Sequence, residues 1–314
     1  MIVVLAGGVG AARFLEGLVQ VAPPEEIVAI INTGDDMVFH GLHVSPDIDI
    51  VTYTLAGIVD ESQGWGVRDD TTHTLSMLAQ LGAETWFKLG DRDLAVHIRR
   101  TELLRAGWTL SEVTEAFRRA LKVGVRLLPM SDDQVATEIC TPVGWLHFQQ
   151  YLVQRRARDE VLGVRFIGID RARPAPGVIE ALQQADAVII APSNPVVSVG
   201  TILAVPGVRD AVTSTPAPVV AVSPIVAGAP IKGPAAPLMR AVGLDVSARG
   251  VAVCYRGVID TLIIDQADAG LADEIRAFGM EVVVTDTIMH GRAAKRRLAE
   301  TTLSAARTAT RRRP

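Results

Sequence analysis

The beginning of the chain constrains the fold more than any other feature. A short apolar run, Ile2–Ala6, is followed at once by Gly7-Gly8-Val9-Gly10, and residues 11–21 then have the pattern of a helix. Residues 27–32 form a second apolar run, of the kind found in buried strands. It leads into Thr33-Gly34-Asp35-Asp36. A strand, a helix and a second strand in this order predict a parallel sheet with a right-handed crossover.

The same alternation returns in the second half of the chain. We predict strands at residues 187–191, 218–222, 257–264 and 281–284, and helices at residues 235–242 and 271–278. Strands rich in Ala, Val, Ile and Leu are typical of parallel sheets that are covered on both faces. The predicted fold class is therefore α/β, with a Rossmann-like, mostly parallel sheet.

Between these two blocks the pattern changes. Helices are predicted at residues 95–105 and 110–122, the second opened by a capping box of Thr109 with Glu112, and shorter strands at residues 125–128, 138–141 and 143–152. We therefore predict a smaller mixed lobe, residues 95–163, inserted into a core of residues 1–94 and 164–305. Residues 306–314 end in three arginines and are predicted to be a flexible tail.

Composition excludes several classes of protein. The net charge of -4 and the aromatic content of 4% argue against nucleic-acid binding. No stretch reaches the roughly 18 apolar residues of a spanning helix, and the start lacks the basic region of a signal peptide. We expect a cytoplasmic protein without membrane contact. Its two cysteines cannot build a disulfide framework or a cysteine zinc site.

The glycine turn after the first strand has the character of an anion-binding loop. Backbone N–H groups there can approach a phosphate closely, and the helix N-terminus adds partial positive charge. The dinucleotide fingerprint is imperfect, because Arg13 stands where its third glycine would be. No Gly-Lys-Ser/Thr follows, so this is not a Walker loop. A tight turn without any ligand is the alternative.

Aspartates cluster at predicted strand ends and loops. The set comprises Asp35, Asp36, Asp47, Asp49, Asp69, Asp70, Asp91, Asp93, Asp132 and Asp133. Acids at this edge of an α/β sheet can hold Mg²⁺ against a polyphosphate, whereas each pair alone is also explained by helix capping or turn chemistry. Asp47, after Ser-Pro, is the clearest cap. Asp49 is not needed as one, which favours a functional role.

Two later loops have the composition of a rigid pocket. Ser193-Asn194-Pro195 follows one predicted strand, and a loop from Ser223 to Pro234 that contains Lys232 and Gly233 follows another. Lys232 is the one cation of that loop and could meet a phosphate; prolines that merely delimit connections are the alternative. The six histidines lack metal-binding spacing and no nucleophile elbow occurs, so nothing indicates covalent catalysis.

Taken together, these motifs resemble a known family. The chain carries Asn-Thr-Gly-Asp-Asp at 32–36, Ser-Pro-Asp-Ile-Asp at 45–49, Lys-Leu-Gly-Asp-Arg-Asp at 88–93, Pro-Met-Ser-Asp-Asp at 129–133 and Pro-Ser-Asn-Pro at 192–195. Their order is similar to that of the phospholactate transferase family of coenzyme F-420 biosynthesis, called CofD in archaea and FbiA in actinobacteria. The resemblance extends from Met1 to about residue 305.

The resemblance implies a reaction. The acceptor would be Fo, a riboflavin-like deazaflavin with a ribityl hydroxyl, and the donor a guanosine diphosphate ester of lactate or enolpyruvate. The hydroxyl would attack the terminal phosphorus and release GMP. The family also implies a Mg²⁺ requirement, a Rossmann-like fold and a homodimer.

The resemblance also implies roles for individual residues. Fo contacts fall on Asp49 and Lys88, while Asp49 and Asp36 are the catalytic and metal-binding candidates. The implied donor site comprises Gly8, Gly10, Arg13, Ser193, Asn194, Ser223, Lys232 and Gly233. Val9 and Arg13 stand where we expect threonine and lysine in other members, and Arg13 keeps the charge with a different geometry.

Other interpretations remain open at this stage. A Rossmann oxidoreductase could use Asp35 to bind the ribose of NAD, since it lies about 20 residues beyond the glycines. A regulatory protein that binds a nucleotide sugar is a second alternative. No residue distinguishes a lactyl from an enolpyruvyl donor, and none identifies the general base.

Overall fold

A computed structural model describes residues 1–309 of the chain. Its strands are β1 (Ile2–Ala6), β2 (Ile27–Ile31), β3 (Met37–Phe39), β4 (Leu42–Val44), β5 (Arg126–Pro129), β6 (Ala136–Thr141), β7 (Gly144–His147), β8 (Gly163–Ile167), β9 (Ala187–Ile190), β10 (Val219–Val222), β11 (Ile225–Val226), β12 (Ala229–Pro230), β13 (Thr261–Asp265) and β14 (Glu281–Thr285). Its α-helices are α1 (Gly8–Leu18), α2 (Pro46–Leu55), α3 (His73–Gln80), α4 (Asp91–Arg105), α5 (Leu110–Ala120), α6 (Val178–Gln183), α7 (Val199–Ala204), α8 (Val208–Ser214), α9 (Ala235–Ala241), α10 (Ala248–Cys254), α11 (Ala272–Arg276) and α12 (Gly291–Thr308).

A seven-stranded parallel sheet forms the centre of the molecule, in the order β14-β13-β10-β9-β1-β2-β5. Side chains of β1 alternate between its faces: Val3 and Leu5 join one hydrophobic core, Val4 and Ala6 the other. Burial on both faces explains why these strands are continuous apolar runs. The predicted α/β class and mostly parallel sheet are confirmed.

The connections leave β1 in two directions. The chain passes through α1 to β2 on one side, whereas β9, on the other side of β1, is reached only after residue 186. The carboxyl ends of β1 and β9 therefore meet at the switch point of the sheet. A ligand crevice is expected at that position in open α/β sheets.

The predicted bounds of the inserted lobe are wrong. Residues 126–129 form β5, which pairs in parallel with β2 and is an edge strand of the central sheet. The small antiparallel sheet β7-β6-β8 also includes Gly163–Ile167, beyond the predicted end of the lobe. A strand of four residues carries too little pattern to show which sheet it joins, because its pairing is set by distant chain.

Two further predicted segments differ. Residues 143–152, expected to be one strand, form β7 and then a turn of π-helix at Gln150–Gln154. Residues 306–308, assigned to a flexible tail, lie in the last turn of α12, where Ala306 is buried. The rest of that tail, residues 310–314, lies outside the described residues. In the described part of the chain, every helix is too short or too polar to cross a membrane.

Candidate active site

A cleft of about 680 Å³ opens beyond the carboxyl ends of β1 and β9. Nine of the predicted site residues line it: Gly8, Gly10, Arg13, Asp49, Lys88, Ser193, Asn194, Lys232 and Gly233. The turns after β1 and β9 supply its floor, and α2, α4 and residues 63–66 supply one wall. Parallel strands thus bring together residues that are almost 200 positions apart in the sequence.

The glycine turn is shaped by close backbone contacts. Gly8 has φ of 69°, which a glycine adopts without strain. A Cβ on Gly10 would lie 2.1 Å from the carbonyl oxygen of Pro192, so only glycine lets α1 approach the turn after β9. Ser193 fastens the two turns together: its hydroxyl donates to Gly7 O (2.9 Å) and accepts from Gly7 N (3.3 Å).

The two other predicted donor-loop residues hold their own turns. The carboxamide oxygen of Asn194 accepts from the amides of Val196 (2.9 Å) and Val197 (3.2 Å). Ser223 is fully buried, and its hydroxyl bonds only within its turn, to Ile225. Ser223 is also absent from the cleft lining. Its placement in the donor site is corrected: it shapes the loop that carries Lys232.

Two cations meet at one edge of the cleft. A Cβ on Gly64 would lie 3.2 Å from Lys232 Nζ and 3.5 Å from Arg13 Nη2, so both cations occupy the same small region. Burial lowers the pKa of Lys232, and the neighbouring charge of Arg13 lowers it further. Cations held this close to each other favour an anionic ligand between them.

Lys88 lines the same cleft. It is exposed, donates to Gln63 Oε1 (3.0 Å) and lies 5.6 Å from the centre of the Trp65 ring. Lys88 lies outside the strands and precedes α4. Asp91 is no partner for it, because that carboxylate accepts from the amides of His73 and Thr74.

Asp35 and Asp47 form a buried acidic pair at the glycine turn. Both line the cleft, and Asn32 Nδ2 donates to Asp47 Oδ2 (2.9 Å). Burial raises the pKa of Asp47 to about 7, although Asn32 and the amide of Gly8 lower it. Burial and the charge of Asp47 raise the pKa of Asp35 well above its usual range, and Asp35 Oδ1 has no hydrogen-bond partner among the described residues.

Asp36 does not line the cleft. Its Oδ2 accepts from the hydroxyl of Ser45 (2.7 Å) and contacts His43 Nε2 (3.1 Å). Burial raises its pKa, which these two neighbours lower in part. Its Oδ1 has no hydrogen-bond partner among the described residues, so the assignment of Asp36 as a catalytic and metal-binding residue stays a prediction.

Asp49 lines the cleft but is already paired. Both of its oxygens accept from Arg100, one at 3.0 Å to Nη1 and one from Nη2 in a shorter contact. Both side chains are buried, Arg100 to 1% exposure. A carboxylate held by a bidentate guanidinium has little freedom to bind a cation. The structure thus argues against Asp49 as the metal ligand.

Three further residues of this wall were missed from the sequence: Tyr53, His97 and Arg100. Asp93, which lines the cleft with Tyr53 and His97, accepts from the Tyr53 hydroxyl at 2.7 Å. Burial raises the pKa of Asp93, but the nearby His97 imidazole and Tyr53 hydroxyl lower it by more. A signal existed: Asp49 and Tyr53 on α2, and Asp93 and His97 on α4, are four residues apart and share a helix face.

The other motif aspartates cap helices and turns. Asp70 accepts from the amides of Arg92 (2.8 Å) and Asp93 (3.1 Å) at the start of α4. Asp132 accepts from the amide of Ser111, and Asp133 from that of Arg173. For these residues the capping alternative is the correct one.

A divalent cation would fit the Asp35–Asp47 pair better than any other acids of the cleft. Within residues 1–309 no group of three His, Cys, Asp or Glu side chains is arranged to hold a metal. Mg²⁺, however, is usually bound by one or two carboxylates together with water and substrate phosphate oxygens. Asp35 Oδ1, buried and unpartnered, is the kind of oxygen that such an ion requires.

Comparison with known proteins gives a family match over nearly the whole chain. The sequence model of a family described as 2-phospho-L-lactate transferase CofD matches residues 2–304. A phosphoenolpyruvate transferase of Streptomyces griseus is 50% identical over 285 residues, covering 89% of this chain and 90% of that protein. One from Kitasatospora aureofaciens is 46% identical over 312 residues, covering 97% of each. A 2-phospho-L-lactate transferase of Methanococcoides burtonii is 40% identical over 287 residues, covering 91% and 93%.

Solved structures show the same fold. A crystal structure of a UPF0052 family member from Bacillus halodurans superposes with a TM-score of 0.64 at 15% identity, covering 96% of this chain and 98% of that one. A second crystal structure from the same organism gives a TM-score of 0.63 at 17% identity. At this level of identity the likeness concerns the fold alone.

Proposed function

This chain belongs to the 2-phospho-L-lactate transferase CofD family, and from that premise we propose that it joins a phosphoacid to a deazaflavin. The donor is a guanosine diphosphate ester of lactate or enolpyruvate, the acceptor hydroxyl belongs to the ribityl chain of Fo, and GMP leaves. The observation that carries the proposal is one cleft lined by a pair of cations near the glycine turn and by aromatic side chains.

The donor phosphates belong at the cationic edge. Arg13 and Lys232 supply two positive charges, and the first turn of α1 directs backbone N–H groups to the same region. Phosphoryl transfer depends mainly on in-line positioning and on neutralising charge on the transferring and leaving groups. Arg13 and Lys232 perform both tasks for a diphosphate ester.

The acceptor ring belongs at the aromatic part of the cleft. Trp65, Phe87 and Phe148 line that side, together with Leu152 and Val153. A flat, largely apolar heterocycle buries its faces against such residues, while its ribityl chain extends towards the donor phosphates. Lys88 lies at the outer margin of this wall, within reach of the chain or ring.

Mg²⁺ is part of the proposal. Asp35 and Asp47 are the residues that would hold it, because they line the cleft beside the glycine turn and their charges repel each other. When bound, the ion would neutralise phosphate charge. Chelation should abolish turnover and added Mg²⁺ restore it; full turnover in excess chelator would refute the metal requirement.

The enolpyruvyl donor is favoured over the lactyl donor. The Streptomyces and Kitasatospora relatives described above share more identity with this chain than the Methanococcoides relative does. The test is mass spectrometry of the products formed from Fo, Mg²⁺ and each guanylylated donor separately. Product from neither donor would refute the proposed function, and an NAD-dependent reaction or nucleotide-sugar binding without turnover would support the alternatives.

Lys88 provides a paired test of the acceptor site. If its ammonium contacts Fo, Lys88→Ala removes a charged hydrogen bond of about 1.5–3 kcal/mol. We expect kcat/KM for Fo to fall roughly ten- to a hundredfold, as follows from that energy. GDP affinity, measured by calorimetry, should be unchanged because the donor phosphates are proposed to contact Arg13 and Lys232 rather than Lys88. An unchanged response to Fo, or an equal loss for GDP, would remove Lys88 from the acceptor site.

A homodimer is proposed as well. Helix α3 buries none of its residues in the single chain, and Met77 and Leu81 are 54% and 76% exposed. Apolar side chains exposed together are typical of a surface that another subunit covers. Sedimentation equilibrium measures the oligomeric state of the wild type and of a Met77→Lys, Leu81→Lys double variant directly.

A further inference from the structure

His97 lines the cleft on α4, and its contacts with neighbouring residues leave one polar atom of its ring without a hydrogen bond. Its ring is 1% exposed, yet it lines the cleft. Its Nε2 has no hydrogen-bond partner among the described residues; Asp93 Oδ1 lies 3.3 Å away but outside hydrogen-bonding geometry. Buried polar atoms are almost always paired, so an unpaired one at the edge of a cleft indicates a missing ligand.

The neighbouring guanidinium fixes the tautomer of His97. Arg100 Nη1 lies 3.2 Å from His97 Nδ1, and a guanidinium can only donate. Nδ1 must therefore accept, which leaves the proton of the neutral ring on Nε2. Arg100 is itself held by both oxygens of Asp49, so this arrangement is rigid. In this state Nε2 is a donor and cannot serve as a general base.

The close polar neighbour of that donor is Asp93 Oδ1, at 3.3 Å and outside hydrogen-bonding geometry. Asp93 already accepts from the Tyr53 hydroxyl, and apolar residues that include Phe87 and Phe148 line the same cleft. A heterocycle that enters here places its ring edge, where its polar groups are, against Nε2. A carbonyl oxygen matches an N–H donor, whereas a ring N–H or amino group does not.

We propose that His97 Nε2 donates a hydrogen bond to a carbonyl oxygen on the edge of the acceptor heterocycle and so selects acceptors that carry a carbonyl there. The inference rests on the proposed function, because it takes the acceptor to be a deazaflavin. It assigns to Asp49 and Arg100 a positioning role: they hold the imidazole in the donor tautomer.

Two isosteric variants separate this role from simple packing. In His97→Asn the amide oxygen takes the place of Nδ1 and still accepts from Arg100, but nothing occupies the position of Nε2. In His97→Gln the amide nitrogen reaches the position of Nε2 and restores the donor. We expect the Kd for Fo, measured by calorimetry, to rise about tenfold in His97→Asn, in line with the loss of a buried hydrogen bond. His97→Gln should stay within about threefold of the wild type, following the same reasoning.

The outcomes are distinct. Fo binding to His97→Asn at wild-type strength overturns the proposal, as does an equal loss in both variants, which would mean that only ring packing matters. GDP titration and thermal unfolding of each variant serve as controls, and a parallel loss of GDP binding also overturns it. Failure of the wild type to bind Fo at all refutes the proposed function itself, a result that the variants alone cannot produce.

Discussion

Asp47 is an acid of the cleft whose pKa differs strongly from that of a free carboxyl group. It is buried, it contacts the glycine turn, and its pKa is raised to about 7, chiefly by burial. Asp35 is shifted in the same direction. An acid whose pKa is higher in the folded than in the unfolded state stabilises the fold below its unfolded pKa. That stability is lost as the pH rises through the folded pKa.

We therefore predict that Asp47→Asn alters the pH dependence of stability. Without metal, the melting temperature of the wild type should fall as the pH rises from 5 to 8, and that of Asp47→Asn should fall less, because the amide never ionises. Added Mg²⁺ should restore the wild type at pH 8 but not the variant, since metal binding competes with protons. Melting curves at both pH values, with and without Mg²⁺, provide the measurement. Parallel pH profiles for the two proteins would contradict the prediction.

At the residue scale, the sequence located the acids of the site but did not show which of them is held by another side chain. The motif 45–49 marked two acids, and the interpretation chose Asp49 as the free one and Asp47 as a cap. In the structure Asp47 contacts the glycine turn, whereas Asp49 is paired with Arg100, 51 positions later. That pairing depends on how α2 packs against α4, which the residues of either helix alone do not specify.

At the scale of elements, residues 60–66 connect the two sides of the cleft. This segment follows α2 and is closed by a bridge between Val59 and Val67. Gln63 accepts from Lys88 through its side chain and from Lys232 through its backbone oxygen, both at 3.0 Å. Its side-chain amide nitrogen donates to Asp60 Oδ2 (2.5 Å), and this bond stabilises the conformation of the segment. One residue thus accepts hydrogen bonds from both Lys88 and Lys232, the lysines proposed for the acceptor and the donor.

Gln63→Ala should weaken acceptor binding selectively. The substitution removes the partner of Lys88 but leaves the backbone oxygen that binds Lys232, so Fo affinity should fall by roughly 0.5–1.5 kcal/mol while GDP affinity stays constant. Ser62→Ala is the matched control, because the Ser62 side chain bonds only within the segment, to Asp60. Calorimetric titration of both ligands tests this. Equal Fo affinities of Gln63→Ala and the wild type would show that Gln63 does not orient Lys88.

The elements themselves were predictable where the pattern is long or sharply bounded. The β1-α1-β2 unit and the Thr109 capping box were predicted and are present. Residues 60–66 and α3 gave no recognisable pattern. Helix α3 begins with hydrogen bonds to Asp91 of α4, and residues 60–66 bond to Lys232; such bonds are not a property of the local sequence.

At the scale of the whole molecule, the cleft is built from chain segments far apart in sequence. The glycine turn and α2 come from the first 55 residues, the turn after β9 and the Lys232 loop from residues 192–235, and His290 lies just before α12. The parallel sheet makes this possible because all seven strands end at the same edge. A ligand that bridges these segments binds only when the sheet is intact.

GDP should accordingly stabilise the entire fold. A ligand that binds only the native state at 100 times its Kd adds about 2.7 kcal/mol by mass action. We expect a rise of several degrees in melting temperature with GDP, and a smaller rise with ADP if the donor carries guanosine. The double variant Arg13→Ala, Lys232→Ala should lose most of the GDP effect, since each cation is proposed to donate a charged hydrogen bond to the diphosphate. Lys88→Ala serves as the matched control and should keep the effect. Equal shifts with ADP and GDP would leave the guanosine assignment without support, and an undiminished shift in the double variant would place the diphosphate elsewhere.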